Sequence, residues 1–317
     1  MISILIPCFN SEQHLAQCLN SVISQSKRDF EVMVVNDGST DNTDVILNEF
    51  QKTDKRIKVF NQTNKGIYLA RKRAIQEANY DYIVHLDSDD YLLPNAIEIL
   101  WAKMKNSEYD IVVSNHYQIT GDKKVLINNE IGDGGNIDAI KNLLNGGLTS
   151  YLWGRLFKKS VFQEISIPKT GRIYTEDVLT NLAIFSAQDL KIGIVNEPTV
   201  CYRVHTDLNS YSRAPQNVQA IFDEVQVVKK MLEAGGSIQK FDNEYAGYKS
   251  RSWVLYCRMN GLKVKSREYR WGIFKENFFK GFIHMPFYQR IELIAYTINP
   301  MLGRISTKSM KWIKDRL

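Results

Sequence analysis

Disulfide and metal-cluster spacings are missing from this 317-residue sequence: Cys8, Cys18, Cys201 and Cys257 form no CxxC pair. Four reduced thiols are expected, with the cytoplasm as the default compartment. Proline and glycine are scarce, at 7 and 18 residues, which excludes collagen-like and low-complexity chains. No apolar run approaches the roughly 18 residues of a membrane span. The opening Met1-Ile-Ser-Ile-Leu-Ile-Pro7 carries no positive leader and no cleavage site, so neither secretion nor a membrane span is expected. Walker and dinucleotide fingerprints are absent too, and Gly132-Asp-Gly-Gly135 reads as a turn because no strand precedes it.

What remains is an ordinary globular composition, 44% hydrophobic and 24% charged, long enough for one large or two modest domains. The formal charge of +6 is unevenly spread. Arg251 to Leu317 holds 14 Lys+Arg and 4 Asp+Glu, a net of +10, whereas the first 250 residues hold 27 and 31, a net of −4. The basic tail is interleaved with aromatics from Trp253 to Trp312. Such a mixture suits an anionic membrane surface or nucleic acid.

The first half alternates strand and helix. Apolar runs at Ile2 to Ile6, Phe30 to Val35, Ile57 to Phe60 and Tyr82 to Leu86 read as buried strands. Helical spacing separates them: Leu15, Cys18, Leu19, Val22 and Ile23, then Val45, Ile46 and Phe50, then Leu69, Ala70, Ala74 and Ala78. Ser11 or Asn10 is expected to cap the first helix and Asp41 the second. A parallel sheet with right-handed crossovers follows, and such sheets bind ligands at the carboxyl ends of their strands. Asp37 follows the second strand, and Asp87-Ser88-Asp89-Asp90 follows the fourth. Each acid could be a turn or cap residue, but together they offer hard oxygen ligands suited to a divalent cation that also touches a phosphate.

Ile4-Leu-Ile-Pro-Cys-Phe-Asn10, Val35-Asn-Asp-Gly-Ser-Thr-Asp41, Asn64-Lys-Gly66 with Ala70-Arg71, and Asp87-Ser-Asp-Asp90 resemble, in order and spacing, the GT-A nucleotide-sugar transferases of glycosyltransferase family 2. Likeness continues through Trp153-Gly-Arg-Leu-Phe157, Thr175-Glu-Asp177 and Tyr202-Arg-Val-His205, covering about residues 1 to 212. The resemblance implies an α/β GT-A fold, Rossmann-like, with a mostly parallel central sheet flanked by helices. It departs from the usual family pattern at Phe9, often Tyr, and at Lys72, often Asn.

Family chemistry then assigns roles. Pro7, Phe9, Asn10, Asp37, Lys65, Arg71, Asp87, Ser88 and Arg203 would bind the nucleotide sugar: Phe9 against the base, Asp37 accepting from a ring N–H, Arg71 at phosphate or ribose, Asp87 at ribose or sugar. Asp89 and His205 would hold Mg2+ or Mn2+ against the diphosphate. Asp177 would be the base that deprotonates an acceptor hydroxyl, with Glu176 its neighbour or an acceptor contact, giving inversion by a single displacement. Trp153 could wall the acceptor site or pack in the core.

After Arg213-Ala-Pro215 the pattern turns helical: Val218 to Glu233, Glu244 to Met259, Ser266 to Phe282, Phe287 to Ile298 and a last segment to Leu317. The expected division is therefore a catalytic domain over 1–213, in which 1–115 binds the nucleotide sugar and 116–213 forms the acceptor side, followed by a helical region over 214–317. The tail is expected to meet an anionic membrane surface rather than nucleic acid, placing the protein peripherally on the inner face of the cell membrane beside a glycan or polyprenyl-linked acceptor. Two rivals stand. A sugar nucleotidyltransferase should carry an N-terminal Gly-rich loop with a basic residue, which Pro7-Cys-Phe-Asn10 is not; a non-catalytic nucleotide-binding or scaffold protein should have lost its acidic set, yet Asp37, Asp87, Asp89 and Asp177 are all present.

Overall fold

The computed structural model describes residues 1–105, 107–131, 135–163, 165, 167, 176–187, 189–205, 218–235, 238–260, 282 and 285–314. The chain divides into two compact units, residues 1–138, 149–165 and 187–206 in the first and 139–148, 166–186 and 207–317 in the second. The boundary expected after residue 213 falls within the second unit, in which segments 139–148 and 166–186 are grouped with residues 207–317.

In the first unit, β1 (Ile2–Cys8) is buried along its whole length, as a strand covered on both faces must be. It pairs in parallel with β2 (Phe30–Asn36) and β4 (Tyr82–His85), and β2 pairs in parallel with β3 (Ile57–Asn61). The remaining strands are β5 (Tyr91–Leu92), β6 (Ile111–Thr120), β7 (Lys123–Ile127), β8 (Arg155–Lys158) and β9 (Ile192–Arg203). One sheet results, ordered β3-β2-β1-β4-β8-β6-β9-β5, with β7 paired to β6. β8 runs antiparallel to both β4 and β6, so the parallel half gives way to a mixed half. Helices α1 (Leu15–Ile23), α2 (Thr43–Thr53), α3 (Ile67–Glu77) and α4 (Ala96–Met104) lie between the early strands. Leu15, Cys18, Leu19 and Val22 of α1 join Ile2, Ile4 and Ile6 in one core.

Local chemistry at the strand ends is specific. Asp41 Oδ1 accepts from the Thr43 N–H at 3.0 Å, but the cap position of α2 is Asn42, one residue later than expected, and it makes no side-chain cap bond. The expectation for α1 is corrected: the side chains of Ser11 and Asn10 do not cap it. Ser11 Oγ meets Ser88 Oγ at 2.7 Å, and Asn10 Oδ1 accepts from Thr40 N–H at 2.8 Å. Both are used to join loops instead. Gly38 has φ 76°, and a Cβ there would lie 2.7 Å from the Asn64 backbone nitrogen. Only glycine lets these two loops close so tightly.

The second unit is helical where it is described: α6 (Glu176–Ala187), α7 (Val218–Ala234), α8 (Asp242–Asn260), α9 (Phe287–Ile298) and α10 (Pro300–Lys314), while α5 (Gly135–Asn145) starts in the first unit and continues into it. Its core gathers Trp253, Tyr256 and Cys257 of α8 with Leu293 and Tyr296 of α9 and Met285. Trp253 and Tyr256 stack at 5.2 Å. A side chain at Gly303 would fall inside the Tyr296 ring, so glycine sets the close approach of α9 and α10. The helix expected over Ser266 to Phe282 and the turn at Gly132 lie, apart from Phe282 and Gly135, outside the described residues. All four cysteines are free and buried.

Candidate active site at the carboxyl ends of the parallel strands

Strands β1, β2 and β4 end side by side, so the loops after them meet. Phe9 follows β1 and stays 47% exposed despite its size. Asn10 beside it takes φ 49°, the left-handed region that Asn tolerates better than most residues. Pro7 itself is buried in β1 opposite Val35. Its ring packs within the sheet, just ahead of the exposed Phe9.

Asp37 is buried and already well supplied with donors. Its Oδ1 accepts from Gln62 Nε2 at 2.7 Å and Lys65 N–H at 2.9 Å, and Oδ2 accepts from Gly66 N–H at 2.8 Å. A buried carboxylate needs such donors. Here they also fix the 62–66 loop, leaving the Lys65 side chain exposed. A base N–H would therefore join a carboxylate that holds three donors, not an open one.

Arg71, buried in the first turns of α3, donates from Nη2 to Asp87 Oδ1 at 2.6 Å. The two residues expected to touch phosphate and sugar thus first touch each other. Cys18 Sγ donates to the Asp87 carbonyl at 3.6 Å, and burial with the neighbouring carboxylates pushes its thiol well above the usual range. It remains a neutral donor. Ser88 is held by Ser11.

Asp89 and His205 come together from positions 116 residues apart, Oδ2 and Nε2 standing 2.8 Å from each other in a partly exposed position. The His14 ring lies 5.4 Å from that of His205. A carboxylate oxygen and an imidazole nitrogen are a fitting donor pair for Mg2+ or Mn2+. Among the described residues no group of three or more His, Cys, Asp or Glu side chains could hold a metal, so phosphate oxygens and water would have to complete the shell.

Arg203, expected to meet the diphosphate or a carboxylate, is tied to the segment after β4 and to α1. Nη1 donates to the Asp89 carbonyl at 2.5 Å, Nη2 donates to Gln17 Oε1 at 2.6 Å, and its guanidinium lies 5.8 Å from the Tyr91 ring centre. Its own N–H donates to Asp90 Oδ1 at 2.7 Å. Asp90 is 1% exposed, and burial followed by the charges of Asp89 and Asp87 raises its carboxyl far above the ordinary range.

The remaining expected groups are Trp153 and the pair Glu176 and Asp177. Trp153 is 3% exposed and belongs to the core; it stacks on Tyr151 at 4.5 Å and meets the His116 ring edge-on at 4.7 Å. Of the two readings open for Trp153, its burial favours the core over the acceptor wall. Glu176 and Asp177 occupy the first turn of α6 in the second unit, where their carbonyls accept from Thr180 Oγ1 and Asn181 Nδ2, each at 2.8 Å. Sequence reasoning missed Gln17 and Gln62, because a lone Gln on a helix or in a loop carries no signal until a partner 186 or 25 residues away is placed beside it.

The sequence profile described as glycosyl transferase family 2 matches residues 3–166, more than half of the chain. Glycosyltransferase GlyA of Streptococcus pneumoniae is 29% identical over 216 residues, 64% of this chain and 30% of GlyA. Putative glycosyltransferase EpsH of Bacillus subtilis is 29% identical over 212 residues, 64% of this chain and 61% of EpsH. The match thus covers less than two thirds of either relative. Among solved structures, S. aureus TarS 1–349 in complex with UDP-GlcNAc superposes with a TM-score of 0.70 at 18% identity, over 99% of this chain and 92% of that one. At that identity the likeness establishes the GT-A fold, while the matching profile establishes kinship. The chain belongs to glycosyl transferase family 2.

Proposed function

We propose that the protein moves a sugar from a nucleoside-diphosphate donor, a UDP-sugar, to a hydroxyl of a glycan or lipid-linked glycan, with inversion and with a divalent metal, in bacterial surface-polysaccharide synthesis. The observation that carries this reading is the Asp89–His205 pair, 2.8 Å apart, on the same rim as the loop built by Asp37 and the Arg71–Asp87 pair. Support for the donor comes from the TarS complex with UDP-GlcNAc, and for the metal from glucosyl-3-phosphoglycerate synthase of Mycobacterium tuberculosis, solved in complex with Mn2+ and UDP.

The exposed ring of Phe9 offers a stacking face to the base, and the Asp37 loop sets the backbone around it. Arg71 and Asp87 present a paired cation and anion to phosphate and sugar hydroxyls. Asp89 and His205 would hold Mg2+ or Mn2+, whose charge offsets that of the departing diphosphate. The acceptor hydroxyl requires a base as its bond forms. Asp177 takes that role, with Glu176 as its neighbour or an acceptor contact.

The acceptor's lipid carrier and an anionic membrane surface fit the C-terminal helices. Ile294, Ile298, Met301, Leu302 and Ile305 are exposed, and α10 carries Arg304, Lys308, Lys311 and Lys314 with no Asp or Glu. Among the described residues no helix is long and apolar enough to cross a membrane. A panel of nucleotide sugars, assayed for metal-dependent hydrolysis and for transfer to glycan acceptors, tests the reading. Hydrolysis of at least one donor that stops with chelator is expected. No turnover of any donor by a protein that still binds UDP would favour the scaffold reading instead.

A further inference from the structure

The loop 89–90 and the end of β9 hold each other through two reciprocal hydrogen bonds. Asp90 Oδ1 accepts the backbone N–H of Arg203 at 2.7 Å, and the Arg203 side chain returns to the Asp89 carbonyl at 2.5 Å. The second guanidinium nitrogen is tied to Gln17 of α1 at 2.6 Å. Between these bonds the chain carries Asp89 on one side and His205 on the other, whose side chains meet at 2.8 Å. β5 and β9 are zipped directly behind, Tyr91 opposite Cys201 and Leu92 opposite Val200. Asp90 is buried, and the described contacts of the Arg203 guanidinium are the Asp89 carbonyl, Gln17 and the Tyr91 ring.

From this geometry we infer that Asp90 and Arg203 are positioning residues that set the divalent-cation affinity of Asp89 and His205, rather than ligands of metal or diphosphate. The inference rests on the metal role proposed above. Two ligands separated by 116 residues keep a fixed spacing only if the segments bearing them are locked. Asp90 fixes the path of β9 two residues before His205, and Arg203 fixes the peptide of Asp89. Groups that orient metal ligands from behind typically change metal affinity roughly 10- to 100-fold when removed.

The full-length protein can be titrated with Mn2+ in saturating UDP, reading free Mn2+ by electron paramagnetic resonance, and with UDP alone in chelator. Asp90→Asn keeps an oxygen that accepts the Arg203 N–H, so its Mn2+ affinity should stay within about twofold of wild type, whereas Asp90→Leu should lose at least about tenfold. Arg203→Lys keeps the charge but cannot bridge Asp89 and Gln17 together, and it too should lose about tenfold. UDP affinity in chelator should be unchanged in all three. Wild-type Mn2+ affinity in both Asp90→Leu and Arg203→Lys overturns the inference. An equal loss of UDP affinity with and without metal makes Arg203 a diphosphate ligand and overturns it as well. Should Asp90→Leu not fold, the Arg203→Lys titration decides alone. Asp89→Ala separates the two levels: if it binds Mn2+ like wild type, the metal role itself falls and the positioning role with it.

Discussion

His205 Nε2 and Asp89 Oδ2 lie 2.8 Å apart with no third protein ligand gathered around them among the described residues. Two side-chain donors leave most of a six-coordinate shell to phosphate and water. Metal and nucleotide should therefore bind as one unit. Mn2+ alone should bind weakly, and UDP should tighten it by roughly 5- to 150-fold, with Mn2+ tightening UDP by the same factor as linkage requires. Calorimetric titrations in both orders check this. A Mn2+ affinity indifferent to UDP and to Asp89→Ala would remove the pair from metal binding.

Asp177→Asn preserves size and most hydrogen bonding at the start of α6 but cannot take a proton. Transfer should fall by at least about a hundredfold, the usual contribution of a general base, while UDP affinity stays near wild type. Nearly normal transfer would move the base elsewhere, with Glu176→Gln the next variant to assay.

His85 ends β4 in full burial, with the Phe157 and Phe162 rings at 6.1 and 5.6 Å. Burial, and then the nearby Arg71 charge, lower its pKa to about 3. An unfolded histidine titrates near about 6.5, so as pH falls from there to about 3 the unfolded chain takes a proton that the native chain refuses. Stability should decline over that window by up to about 1.4 kcal/mol per pH unit from this one group. Urea unfolding of His85→Phe should show a shallower acid limb than wild type. An identical acid limb would mean that His85 is charged or solvated in the native state.

The tail prediction is shaped by packing. Leu293, Tyr296 and Met285 lie in the core of the second unit, so cutting the chain after Met285 would strip that core as well as the basic charges. Point variants separate the two effects. Met301, Leu302 and Ile305 of α10 are exposed, as is Ile298 at the end of α9, beside cations worth about 1 kcal/mol each at an anionic surface. Met301→Glu with Ile305→Glu should reduce co-sedimentation with phosphatidylglycerol vesicles at least about tenfold, and wild-type binding should weaken as salt rises. Equal binding of both proteins to neutral and anionic vesicles would make the tail a structural appendage, its charge serving solvation or partner contact.

Much of the fold was legible because its signals are local. The all-apolar runs at Ile2 to Ile6 and Phe30 to Val35 have no stable place except the middle of a sheet, and α9 runs from Phe287 to Ile298 as its spacing predicts. Acidic residues after strands also marked the rim correctly, since strand ends are where a parallel sheet meets its loops. The sequence by itself thus determined the α/β order, the family and which acids stand at the strand ends. Tertiary structure alone decided what those side chains hold: Arg71 on Asp87, three donors on Asp37, Arg203 turned to Asp89 and Gln17, and Trp153 closed into the core. The physical reason is that a strand or helix follows from neighbours within a few residues. A buried charge takes whichever partner the packing brings within about 3 Å, and those partners come from 16 to 186 residues away.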